Sequence, residues 1–185
     1  MEKTSYLVLL RGINVGGNNI IKMDELKKIF IEMGFTGVKT YIQSGNILFS
    51  DQENNKAKLA KRIEKTLFDK FDIKINVLVL TLSEIKNILT NIPHKFGEEN
   101  ENYKYDIVFL IEPLTAKEVL KEIKTKEGGD KIYEGENVFY IKRLIEKLTG
   151  SYLSTIMRTP MWQNITIRNL NTTRKLFELM LERET

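Results

Sequence analysis

The stretch best suited to chemistry is Arg11-Gly12-Ile13-Asn14-Val15-Gly16-Gly17-Asn18-Asn19, with Lys22 shortly after it. Three glycines permit positive φ and a close approach of backbone to ligand, and N–H groups in such a turn can converge on an anion. Arg11 adds a planar fork of donors matched to carboxylate or phosphate, Lys22 adds a point charge, and the helix that follows adds its positive end. The implied chemistry is anion binding by Arg11, Gly12, Asn14, Gly16, Gly17, Asn18 and Lys22. Gly12-x-x-x-x-Gly17 has Walker A spacing, yet Asn18-Asn19 stands where that motif needs Lys and then Ser or Thr, so this is not a P-loop. A second reading stands beside the first, in which the glycines shape a strand-to-helix connection and the asparagines serve as turn and cap residues.

Arg168, Asn169 and Thr172 repeat this logic of strand, polar loop and helix start near the C-terminus, and so make a second candidate anion site. Their alternative is a helix cap at Asn171 or Thr172 and an ion pair for Arg168. Other chemistries fare worse. Ser44 in Gln43-Ser44-Gly45-Asn46 has no base among its sequence neighbours, and the single histidine, His94, follows Pro93 in a loop. One histidine, no cysteine and carboxylates without calcium-loop spacing give no metal site, and nothing calls for a cofactor. No constellation names a reaction, so whether the chain is an enzyme stays open.

Nucleic acid is the competing ligand. Residues 142–175 carry seven Lys or Arg against one carboxylate, a net of +6, whereas residues 98–136 carry eleven carboxylates against six lysines, a net of −5. A basic stretch of this kind can meet phosphate, and Trp162 is its best stacking residue. Tyr41, Phe49, Phe139 and Tyr140 fall on strand-like runs, where core packing competes with base stacking, and there is no RNP1 pattern. Ordinary solvated faces account for charge runs equally well.

The elements that must position these residues follow from periodicity. Residues 6–10 are continuously apolar, a strand buried on both faces. Met23, Leu26, Ile29, Phe30 and Met33 recur at helical spacing and stop at Gly34. Strands over 38–42 and 47–49 flank the Gln43-Ser44-Gly45-Asn46 turn, a helix over 55–70 carries Leu59, Ile63 and Leu67, and a strand covers 75–80. After a helix over 83–92 the order recurs: a strand over 105–111, the capping box Thr115-x-x-Glu118, strands over 131–133 and 138–141, a helix over 144–157 broken at Gly150, a strand over 165–167 and a closing helix over 171–182. Pairing Asn46-Ile47 with Asn137-Val138 aligns the two hairpins. The reading is α+β, two ferredoxin-like βαββαβ subdomains from an internal duplication with extra helices. Boundaries fall at residues 1–82, 83–104 for a connecting helix and loop, and 105–185 with the C-terminal helix. Because the central strands are apolar on both faces, the two halves are expected to cover each other's open face. The 43–46 turn is expected at the opposite end of its sheet from the 11–22 loop, and therefore to be structural.

Composition agrees with a globular chain of 185 residues, 42% apolar and +4 in net charge. It has no apolar run of membrane-spanning length, no signal-peptide pattern at its start and no cysteine. Those features favour the cytoplasm, leave no membrane partner, and leave the oligomeric state open.

Leu9-Leu10-Arg11-Gly12-Ile13-Asn14-Val15-Gly16-Gly17 and Tyr41-Ile42-Gln43-Ser44-Gly45-Asn46 resemble the family catalogued as domain of unknown function 1697. Thr166-Ile167-Arg168-Asn169 with Thr173 is similar to its C-terminal motif, although Leu170 stands where that family commonly has Trp. The resemblance implies a bacterial cytoplasmic protein with duplicated ferredoxin-like subdomains and no settled activity.

Overall fold

The structure, a computed structural model, describes residues 3–17, 19–98, 102–122, 130–147 and 156–183. Asn18 and the expected break at Gly150, with most of the helix around it, lie outside these residues. The chain divides into two compact units, Met1–Lys86 with Lys175–Thr185, and Asn87–Arg174.

The first unit runs β1 (Thr4–Leu10), α1 (Met23–Glu32), β2 (Thr36–Tyr41), β3 (Asn46–Asp51), α2 (Lys56–Phe71) and β4 (Val77–Thr81). Its antiparallel sheet has the order β2-β3-β1-β4, the ferredoxin-like arrangement. Helix α1 forms because Leu26, Ile29 and Phe30 make one buried stripe and Asp24 and Glu25 sit in its first turn. Helix α2 is capped by Asn55, whose side chain accepts from the Lys58 N–H at 3.0 Å, and it buries Leu59, Ile63 and Leu67. Both helices pack on Tyr6, Val8 and Leu10 of β1 with Ile47 and Phe49 of β3. Each such side chain, fully buried, stabilises by about 1.5–3 kcal/mol. The alternate residues Leu7, Leu9 and Leu48 are fully buried on the other face, as the unbroken apolar run predicts.

Among its described residues the second unit runs β5 (Tyr103–Leu110), α4 (Ala116–Glu122), β6 (Lys131–Gly135), β7 (Val138–Leu144), 3₁₀ turns at Ile145–Lys147 and Pro160–Asn164, and β8 (Ile165–Asn169), and its sheet order β6-β7-β5-β8 repeats that of the first. Thr115 and Glu118 form the expected reciprocal cap of α4, with the Thr115 N–H donating to the carboxylate at 2.9 Å. Val108, Leu110, Phe139, Ile141 and Ile165 make its core with Val119 of α4. In both units the last strand passes directly into a helix, β4 into α3 (Leu82–Thr90) and β8 into α5 (Leu170–Leu181).

This division differs from one that gives the whole C-terminal helix to the second half. Lys175–Thr185 belongs with the first unit, where Arg183 donates to the Gly37 carbonyl and, at 2.9 Å, to Ser50 Oγ. Among the described residues no helix is long and apolar enough to cross a membrane.

The junction of β4 and α3 is held by Thr81 and Glu84. The Thr81 N–H and hydroxyl both donate to the Glu84 carboxylate at 2.9 Å, and Lys56 pairs with its other oxygen. Burial pushes this carboxyl up, but the bonds from Lys56 and Thr81 outweigh it and hold the group below its ordinary value. A depressed carboxylate contributes stability that is present above its unfolded-state pKa and is lost as pH falls through the folded-state pKa. Glu84→Gln is therefore expected to cost about 1 kcal/mol at neutral pH, with the gap to wild type closing in acid. Urea unfolding of both proteins at the two pH values checks this, and a gap that persists in acid would contradict the assignment.

Candidate functional site

The placement of the Gln43-Ser44-Gly45-Asn46 turn corrects the sequence-based expectation. Strands β1 and β2 each pair antiparallel with β3, so they run parallel to one another and finish at the same end of the sheet. The hairpin turn thus lies beside the 11–22 loop. The Leu10 N–H donates to the Gly45 carbonyl at 2.8 Å, and the Arg11 N–H donates to the Asn76 carbonyl at 3.0 Å. A Cβ on Gly45 would come within 2.8 Å of both Leu10 Cβ and Ile13 Cδ1, so this glycine is needed for the contact itself as well as for its φ of +74°. Asn46 is buried and donates to the Tyr41 carbonyl and to Ser44 Oγ, each at 3.0 Å, which engages the serine within the turn.

Asn14 joins the pieces. Its Nδ2 donates to the Ile21 carbonyl at 2.9 Å and to the Gln43 carbonyl at 2.8 Å, while its Oδ1 accepts from the Ile21 N–H at 2.8 Å. Asn19 Nδ2 donates to the Gly12 carbonyl at 3.0 Å, and the Asn14 N–H donates to the Asn19 carbonyl. Both asparagines have positive φ, which this residue type tolerates better than most. The turn-and-cap reading thus describes Asn14 and Asn19, and it leaves their side chains in the scaffold of the loop. Ile13 and Ile21 anchor the loop in the core beneath.

Gly16 and Gly17 differ from these. Their φ values are +60° and +79°, and among the described residues nothing lies within 4 Å of where a Cβ would stand. Arg11, half-buried at the loop's start, is pulled below its ordinary pKa by burial, and Lys22 at the N-cap position of α1 is exposed. No carboxylate occurs between Arg11 and Met23 or between Met33 and Ser50. This end of the first sheet thus carries two cations in the loop, and a carboxylate, Glu64, which accepts from the Val77 N–H at 2.9 Å where β4 begins beside Leu10. Asn18 is outside the described residues.

The second unit reproduces the framework without these features. Its Leu110 N–H donates to the Asn137 carbonyl at 3.1 Å and its Ile111 N–H to the Asn164 carbonyl at 2.8 Å, matching the bonds of Leu10 and Arg11. Gly45 thus corresponds to Asn137, each with positive φ, one residue away from the alignment of Asn46 with Asn137. The connection after β5 is Ile111-Glu112-Pro113-Leu114, with neither glycine nor arginine.

Arg168 and Asn169 do not form a second such loop. They are the last residues of β8, which is antiparallel to β5, so they lie at the end of their sheet away from the 111–115 connection. Asn169 caps α5, accepting from the Asn171 N–H at 2.9 Å, a role expected of Asn171 or Thr172. Arg168 is 6% exposed, donates to Thr166 Oγ1 at 2.9 Å and the Ile167 carbonyl at 2.7 Å, and is pulled down to about 10 by burial.

The basic stretch is also partly internal. Lys142 is buried with its ammonium 3.9 Å from the Tyr103 ring centre, and Arg143 pairs with Asp106. Phe49, Phe139 and Tyr140 are buried, Tyr140 under Phe96 and with its hydroxyl donating to the Ile88 carbonyl at 2.7 Å. Trp162 packs against the second core. An open cavity of about 490 Å³ in the second unit is lined by Asn87, Asn91, Glu134, Glu136 and Tyr140, an acidic rim unsuited to an anion. Among the described residues no three His, Asp or Glu side chains converge as metal ligands would.

A family model described as a protein of unknown function, DUF1697, matches residues 3–140. The chain belongs to that family. The match contains both the 11–22 loop and the hairpin turn beside it, whereas the Arg168-Asn169 motif lies beyond it. The structure is also similar to that of a conserved bacterial protein, SP0830, from Streptococcus pneumoniae, with a TM-score of 0.82 and 27% identity over 97% of this chain and 99% of that one. No curated protein matches.

Asn14→Ala removes three hydrogen bonds and places alanine at positive φ, so it is expected to destabilise the protein by about 2–3 kcal/mol. Hydrogen exchange should quicken at both the 12–21 loop and the 43–45 turn. Faster exchange in the loop alone would show that the two are not one unit.

Proposed function

We propose that the 11–22 loop binds a small anion, a phosphate or a phosphate-bearing molecule such as a nucleotide, in a protein of the cytoplasm. The observation that carries this reading is the left-handed backbone of Gly16 and Gly17, with room where their side chains would stand, in the loop that Arg11 opens. A half-buried guanidinium interacts with an anion more strongly than a fully solvated one, because the local dielectric is lower. Its fork can donate to two oxygens of a phosphate at once, and Lys22 adds an unoriented charge. Asn14 and Asn19 act through the loop's shape, since their amides already bond to backbone. Arg168 and Asn169 have no part in this site, and the absence of cysteine suits a reducing compartment.

The test is thermal unfolding of wild type and Arg11→Ala with inorganic phosphate, a mononucleotide and a short single-stranded RNA, at low and moderate salt. A ligand at a hundred times its Kd stabilises the native state by about 2.7 kcal/mol, and that gain should appear in wild type with phosphate or nucleotide and vanish in Arg11→Ala. Stabilisation by RNA alone, equal in the mutant and lost with salt, would move the site to the basic residues of the C-terminal third.

A further inference from the structure

Three apolar side chains stand exposed around the proposed anion site: Val15 at 62%, Ile20 at 76% and Ile42 at 48%. None is needed to anchor its segment, because Ile13 and Ile21 already fill the core beneath the loop. Each is the chain neighbour of a residue in the Asn14 hydrogen-bond set: Val15 follows Asn14, Ile42 precedes Gln43, and Ile20 precedes Ile21. Ile42 is the telling residue. Its φ is +48°, a left-handed conformation that is an outlier for a β-branched side chain. Strain of this kind costs on the order of 1–2 kcal/mol, and leaving an isoleucine half in water forgoes the burial that would offset it. Glycine or asparagine at this turn position would relieve both costs, so folding does not account for isoleucine there.

Resting on the proposed anion site, we infer that its ligand is a phosphate ester with a flat, apolar organic part, aromatic or heterocyclic, whose phosphate meets Arg11 and the Gly16-Gly17 backbone while Val15, Ile20 and Ile42 cover the ring. Arg11 and Lys22 in the loop select an occupant that carries an anion over a purely apolar one. An unsubstituted sugar phosphate would leave the three side chains in water. A ring laid on Ile42 would bury it in the complex only, which explains why the strain persists in the free protein.

The experiment compares binding of inorganic phosphate, ribose 5-phosphate, phenyl phosphate and adenosine monophosphate to wild type, Ile42→Gly and Ile42→Asn by calorimetry, with the unfolding temperature of each protein. Wild type should bind the two ring-bearing esters about tenfold more tightly than the other two, from the apolar area covered. Both variants should lose that preference, keep their affinity for inorganic phosphate, and unfold at the same or a higher temperature. Equal affinity for all four ligands in wild type would overturn the inference while leaving the anion site standing. Failure of all four to bind would overturn both. A large fall in unfolding temperature for both variants would make Ile42 a structural residue and also overturn the inference.

Discussion

One side-chain amide holds the loop-bearing end of the first sheet together. Asn14 closes its own loop on Ile21 and ties that loop to Gln43 of the neighbouring turn, so two segments separated in sequence share a single hydrogen-bonded centre. An amide suits this work because it offers two donors and an acceptor in one plane, and asparagine also tolerates the left-handed backbone the loop requires there. With Ile13 and Ile21 buried, the backbone of Gly16 and Gly17 is free to take a shape set for something outside the chain. The loop is thus rigid at its ends and open at its crown, the arrangement expected of a preorganised anion cradle.

The two units show what is framework and what is addition. Each presents the same pair of main-chain bonds where its first strand ends, Leu10 and Arg11 in one and Leu110 and Ile111 in the other. Each ends its last strand in a residue that caps the next helix, Thr81 or Asn169. The glycine run and the arginine occur on the first framework only, which localises the proposed chemistry to one unit.

Much of this was legible in the residues. The apolar run of β1, the helical stripes of α1 and α2, the Thr115-x-x-Glu118 cap and the fold class all follow from local periodicity and capping chemistry, where neighbours in sequence are neighbours in space. The adjacency of the 43–46 turn to the glycine loop was not read, although the crossover from β1 through α1 makes β2 parallel to β1 and so brings both C-terminal ends together. Membership of Lys175–Thr185 in the first unit escaped for a different reason, because Arg183 reaches Gly37 and Ser50 across more than a hundred residues of chain and no local pattern reports such a contact. The burial of Lys142 and Arg168 and the pairing of Arg143 with Asp106 were equally hidden, since a charge count along a segment cannot tell a solvated face from a sheet interior. Ile42 gave no sign of its backbone strain, as isoleucine beside a turn reads as the end of a strand.

The most direct test of this account is a residue-resolved amide NMR titration of the intact protein with inorganic phosphate. Saturable shifts at Gly16 and Gly17, accompanied by smaller ones at Gln43 to Gly45 through the Asn14 bridge, are the result the account predicts. Shifts that spare the loop and gather instead on the exposed basic residues Arg158 and Arg174 would contradict it.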